Sequence, residues 1–246
     1  MMPNPGHVDV HSQSPASNGP PIHSNPFCTR FVCPGALPFH FDSSRGDAQG
    51  GEVAATLVED LVNQQWGLVV GEHGSGKSTL VQSLLPRLHD RFCEVRTIQT
   101  HAPTANDLLS RWAQRRKMAA AVFRMAKSLA PKGLMVVDGI EQLSLVSQLR
   151  LMLIARKNEH FVLATSHRDL WPFATLFRTR VTPALINDLT AALLADSPDD
   201  LRCAVQSELQ KRPLTRLQNV RELWFDLYDV AETLREAQHG PTPHAE

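Results

Sequence analysis

The run Gly71-Glu72-His73-Gly74-Ser75-Gly76-Lys77-Ser78-Thr79 fits the pattern G-x-x-x-x-G-K-[ST] and directly follows the apolar stretch Trp66-Gly67-Leu68-Val69-Val70. This pattern holds phosphates. Its glycines let the loop curl so that backbone N–H groups point inward, Lys77 reaches β and γ phosphates, and the Ser78 hydroxyl can ligate Mg2+. A helix opening near Lys77 adds the positive end of its dipole. All nine residues are candidates for binding a nucleoside triphosphate. Further on, the apolar run Leu134-Met135-Val136-Val137 ends in Asp138, a carboxylate placed to share Mg2+ with Ser78. Glu141 follows three residues later. Because Gly139 lets the chain turn there, Glu141 is the candidate to polarise an attacking water.

Three further groups belong to the same chemistry by position. Thr165-Ser166-His167-Arg168 closes an apolar run, placing a hydroxyl or His167 where it can sense a terminal phosphate; Ser166 is the candidate taken. Arg178 and Arg180 are candidate fingers toward a neighbouring subunit's nucleotide, or else plain surface arginines. Arg221, in Asn219-Val220-Arg221-Glu222, can reach a bound nucleotide from a C-terminal helix, or serve in a helix ion pair. Separately, Arg111, Arg115, Arg116, Lys117, Arg124, Lys127 and Lys132 lie in a stretch with no acid between Asp107 and Asp138. That local field is the one signal for a nucleic-acid or acidic-protein partner, against a solvated helix face. Trp112 can stack on a base there, but with Val122, Phe123 and Met125 it is expected to face the core.

These groups need elements to hold them in place. Besides 66–70, strands are expected at 93–99, 134–137, 160–165 and 179–182, separated by helical stretches. The alternation predicts an α/β P-loop sandwich of three layers, with a mainly parallel five-stranded sheet. Helices are expected at 53–63, at 79–88 and from Thr104, a candidate N-cap with Asp107 three residues on, to a stop at Pro131 and Gly133. Past Pro183 the segments 184–194, 199–211 and 216–237 read as three helices forming a small C-terminal lid. Residues 1–25 read as a disordered leader, 26–52 as an extended Pro/Phe-rich segment on the core, 53–183 as the core, 184–238 as the lid and 239–246 as a loose tail.

Composition removes several classes. Lys+Arg and Asp+Glu are both 25, so the global charge selects no polyanionic partner. No apolar run of membrane-spanning length and no secretory leader pattern is seen, which predicts a cytoplasmic protein. The four cysteines are too scattered for a disulfide framework, and Cys28, Cys33 and His40 lack a second ligand pair at zinc spacing.

Asp138-Gly139-Ile140-Glu141 resembles the strand-end acidic motif of the NACHT group of STAND ATPases, in which the first acid holds Mg2+ and the later one activates water. Thr165-Ser166-His167 stands where that group carries its sensor-1 motif. Asn219-Val220-Arg221-Glu222 resembles the sensor-2 segment of AAA+ enhancer-binding ATPases, whose arginine contacts the γ-phosphate. The segments 25–32 and 176–179 are similar to those of a poorly characterised group of small bacterial P-loop ATPases. Two positions depart from the lineage: Gly139 replaces the acid usual after the magnesium Asp, and Ser166 or His167 replaces the sensor-1 Asn or Arg. The resemblance implies a Mg2+-dependent, ATP-hydrolysing protein of the AAA+/STAND lineage that couples nucleotide state to lid movement and assembly as a homo-oligomer. The alternatives are a slow ATP-dependent switch that recruits a partner protein or nucleic acid, and a small-molecule kinase. The absence of an N-K-x-D segment favours ATP over GTP, and no transporter signature L-S-G-G-Q occurs.

Overall fold

A computed structural model describes residues 25–33, 35–37, 39, 47–104, 106–214, 217 and 219–239; the predicted leader but for Asn25, the predicted tail but for His239, and His40 lie outside them. Strands β1 (Trp66–Val70), β2 (Val95–Gln99), β3 (Leu134–Asp138), β4 (Phe161–Ser166) and β5 (Ala174–Arg178) form one sheet in the order β2-β3-β4-β1-β5. Every pairing is parallel. All five strands therefore end at the same edge.

The strands at the centre of the sheet read as continuous apolar runs because both faces are covered. Leu68, Val70, Met135, Val137, Val162 and Ala164 pack with Ala119, Val122 and Ala126 of α4 (Leu108–Ser128) and with Leu151, Met152 and Ala155 of α5 (Leu145–Lys157). The alternate residues Val69, Leu134, Val136 and Leu163 pack on the other face. There they meet Ala54, Leu57, Val58 and Leu61 of α2 (Asp47–Gln64) and Leu80, Val81, Leu84 and Leu88 of α3 (Lys77–Arg91). The result is the expected three-layer α/β P-loop architecture. A third apolar cluster joins α6 (Pro183–Leu193), α7 (Asp199–Gln210) and α8 (Val220–His239) through Ile186, Leu193, Val205, Leu209, Leu223 and Leu227. No helix among the described residues is long and apolar enough to cross a membrane.

Several expectations need correction. The fifth strand is Ala174–Arg178, and the β-branched residues at 179–182 serve other ends. Thr179 N donates to Val70 O at 2.8 Å, and Thr182 caps α6 by accepting from Leu185 N. The cap of α4 is Asp107, which accepts from Ser110 N at 2.8 Å, so the helix starts later than a Thr104 cap would place it. Trp112 is 59% exposed and does not face the core, because α4 gains a buried face only from Ala119 onward. In the Pro/Phe-rich segment, Thr29–Val32 forms one helical turn, α1, instead of extended chain. That segment also splits its packing. Phe27 stacks on Trp224 with centroids 5.7 Å apart, Phe31, Val32 and Leu37 join the same lid cluster, and Phe39 reaches the sheet domain, its N–H donating to Ser83 Oγ at 3.0 Å.

Candidate functional site

The phosphate loop, Asp138, Glu141 and Thr165-Ser166-His167 all lie where β1, β3 and β4 end. Parallel strands aim their carboxyl ends at one crevice, and loops leaving that edge collect the polar side chains. The loop after β1 runs straight into α3, whose N-cap is Gly76 with no side-chain acceptor, leaving the first amides of the helix for an anion. Ser75 braces the loop from inside: its hydroxyl donates to Glu72 O at 2.8 Å and lies 2.6 Å from Thr179 Oγ1, at the end of β5. Gly74 has φ +70°, and a Cβ there would sit 1.9 Å from Asn219 Oδ1, so the loop and the start of α8 fit only around a glycine.

Lys77 folds back over this loop. Its ammonium donates to Gly71 O and Glu72 O, both at 2.7 Å, and lies 3.3 Å from His167 Nδ1. Burial holds its pKa below the ordinary value, with Glu141, Asp138 and Glu72 acting in the opposite sense. Ser78 Oγ donates to Asp138 Oδ2 at 2.8 Å. The other Asp138 oxygen accepts from Thr165 Oγ1 at 2.5 Å, and Thr165 Oγ1 in turn accepts from Gly139 N at 2.8 Å. A hydroxyl and a carboxylate at hydrogen-bond distance, both oxygen donors, suit a hard divalent cation.

Gly139, at φ +87°, turns the chain out of β3 into a 3-10 turn, Ile140–Gln142. Thr100, just past β2, closes that turn by donating to Asp138 O at 3.0 Å and, in a shorter contact, to Gly139 O. Glu141 is thereby carried back to the crevice. Its Oε1 lies 3.2 Å from His167 Nε2, while its buried Oε2 has no hydrogen-bond partner among the described residues. The His167 ring packs on His73 with centroids 3.7 Å apart. Loss of solvent, then the charges of His167 and Lys77, lower the His73 pKa.

Two cavities flank the loop. One, of about 370 Å3, is polar and is lined by His73, Lys77, Ser78, Thr100, Asp138, Glu141, Thr165 and His167. The other, of about 150 Å3, is walled by Leu37, Phe39, Leu185, Leu189 and Trp224 against residues 74–79. Arg221 borders both. Sequence reasoning thus placed Lys77, Ser78, Asp138, Glu141 and Arg221 in one neighbourhood. Ser166 is different, since its buried hydroxyl accepts from Arg168 N at 3.2 Å, and Thr165 and His167 line the polar cavity on either side of it. Strand alternation at 165–167 would have separated the two faces. Thr100 was missed. It stands one residue beyond an apolar-alternating strand, a position that carries no motif. Of the finger candidates, Arg178 is held by Asp169 at 2.6 and 2.8 Å, and Arg180 is exposed.

Residues 67–188 match the family described as AAA domain (dynein-related subfamily). A search of curated proteins finds no match. Among solved structures, the chain is similar to C. elegans PCH-2 at 17% identity, with TM-score 0.36 and coverage of 68% of this chain and 50% of that one. A DNA replication initiation factor matches at 16% identity and TM-score 0.46, covering 77% of this chain and 64% of that one. The Thermotoga maritima RuvB Holliday junction branch migration motor matches at 12% and TM-score 0.42, covering 78% and 72%. The chain thus spans less than two thirds of the length of the first two.

Proposed function

Residues 67–188 form an AAA domain of the AAA+ P-loop lineage, and from that premise we propose that the chain is a Mg2+-dependent ATPase that couples nucleotide state to lid position and assembly. The observation that supports this best is the 2.8 Å bond from Ser78 to Asp138 beside Glu141 and Lys77 in one polar cavity. Ser78 and Asp138 would hold Mg2+, which when bound neutralises charge on the phosphates. Lys77 leaves Gly71 O and Glu72 O to pair with β and γ phosphate oxygens. Glu141 Oε2 accepts a proton from water as the water oxygen bonds to the γ-phosphorus, and the bond to the β–γ bridging oxygen breaks to give ADP and phosphate. Thr165 and His167 orient Asp138 and Glu141. Arg221 reaches the nucleotide from the lid, and the apolar cavity takes the base and ribose. A cytoplasmic, self-assembling protein is part of the same reading, with exposed Arg180 the better finger.

One observation favours a second reading, a slow nucleotide switch. His167 engages Glu141 Oε1 while lying against Lys77 and Gly71 O, so a single imidazole ties down both the base and the lysine. A protein restrained in this way binds ATP and turns over rarely, with the bound form recruiting a partner. Steady-state Mg2+-ATP hydrolysis across protein concentrations separates the two. Turnover per subunit that climbs with concentration and vanishes in Lys77→Ala and Glu141→Gln supports the ATPase; tight ATP binding without turnover supports the switch.

A further inference from the structure

The first ten residues of α4, 108–117, are exposed on every side, and the helix acquires a buried face only from Ala119 onward. Leu108 and Leu109 are each 81% exposed. Ten helical residues with no packed face are poorly held by propensity alone, and leucines left this wet forgo the stabilisation that burial supplies. α5 packs beside α4, with the Arg150 guanidinium over the Phe123 ring at 4.8 Å. Its outer stripe is apolar as well. Leu145, Leu149 and Leu153 recur every four residues with Val146 beside them, and Leu145 and Leu153 are each 70% exposed.

Charge narrows what can cover this face. α4 contains six Lys or Arg and α5 three, and neither helix contains a single Asp or Glu, in a chain that has 25 of each sign overall. Arg111, Arg115, Arg116 and Lys117 belong to the projecting part of α4, and the Arg116 guanidinium lies 4.5 Å over the Trp112 ring. A polyanion such as duplex DNA would satisfy the cations and leave the leucines in water. An amphipathic protein helix covers both, because its apolar residues at i, i+3, i+4 and i+7 spacing fill the stripe while its flanking carboxylates meet the arginines. We propose that the projecting half of α4 and the outer stripe of α5 form a docking surface for an acidic amphipathic helix of a partner protein. Both helices start at the sheet edge that carries the polar cavity, α4 after Thr100 and His101 and α5 after Glu141. The surface stands independently of whether the chain hydrolyses ATP.

The test uses the full chain and a labelled, designed helical peptide with leucines at that spacing and glutamates on its flanks, read by fluorescence anisotropy. A Kd tighter than about 100 μM is expected, weakened at least about tenfold both by Leu109→Ser with Leu149→Ser and by Arg115→Glu with Arg116→Glu. These residues are exposed, so the fold survives their replacement, and an unchanged circular dichroism melt checks this. Equal binding of a peptide with lysines in place of the glutamates, or no binding of either, overturns the proposal. So does tighter binding of a 20-base-pair duplex or of anionic vesicles that the arginine changes abolish and the leucine changes spare. Self-association that Leu149→Ser removes, seen by light scattering, would assign the face to a second copy of the chain instead.

Discussion

The two cavities beside the phosphate loop share residues 74, 77, 78 and 221 and differ in nearly everything else. The polar one is furnished by strand ends, with Asp138, Thr165 and Glu141 braced by hydrogen bonds from Ser78, Gly139 and the Thr100 turn. The apolar one is furnished by the lid and the segment before the sheet, through Leu185, Leu189, Trp224, Leu37 and Phe39. Groups that must keep sub-ångström geometry stand on the rigid sheet edge. Groups that only have to exclude water stand on the helices after β5 and the segment before the sheet. On the proposed function, chemistry and affinity are divided between two parts of the chain, and substitutions on each side should separate turnover from binding.

The largest effect belongs to one of the residues both sides share. Lys77→Ala should lower ATP turnover by about a thousandfold and weaken ATP binding as well, measured by coupled assay and by calorimetry. Glu141→Gln should cost about 10²–10⁴-fold in kcat while ATP affinity stays within about threefold; a parallel loss of binding would break the division. His167→Ala should lower kcat by about tenfold by freeing the Glu141 carboxylate from its support, and a rise instead would mean that the imidazole restrains the base. Leu189→Ala should do the opposite of Glu141→Gln, weakening ATP binding by about tenfold with kcat unchanged. The smallest effect concerns pH. His73 has its pKa lowered below the ordinary 6.5 in the folded chain, so the unfolded chain takes up the proton first and stability declines as pH falls through about 6.5. The decline ends only once pH passes the lower folded value. His73→Asn should reduce the drop in Tm between pH 7.5 and 5.5, and an unchanged drop would remove His73 from the account.

The division also marks what could be read from the sequence. The polar side was legible because β3 and β4 are buried apolar runs that stop at Asp138 and at Thr165-Ser166, and β1 runs into the glycine-rich loop pattern that carries Lys77 and Ser78. The apolar side was not. Leu185, Leu189 and Trp224 look like any core residues of a helix, and only the packing of three helices with Phe27, Phe31, Val32, Leu37 and Phe39 turns them into a wall. The misplaced fifth strand has a related cause. β5 is an edge strand of mixed exposure next to Pro172, so its pattern is weaker than that of the β-branched residues at 179–182, which tertiary contacts use for bracing and capping. Trp112 misled for a different reason: aromatic residues on a helix are usually buried, and nothing in the spacing tells that the first ten residues of α4 have no buried face.

If nucleotide state moves the lid as proposed, the contact between Gly74 and Asn219 makes the phosphate loop a gauge for it. Asn219 starts α8, accepting from Arg221 N at 3.1 Å and donating to Glu222 Oε1 at 2.9 Å, and its amide occupies the volume a side chain at Gly74 would need. The helix end rests on the loop like a stylus on a groove. On the proposed coupling, a change in the loop's height would lift or drop a lever twenty residues long, whose far side carries Phe225 and Tyr228 into solvent. A single methyl group added at Gly74 would mimic such a change without any nucleotide, and the angle of the lever in that variant would report how far the stylus travels.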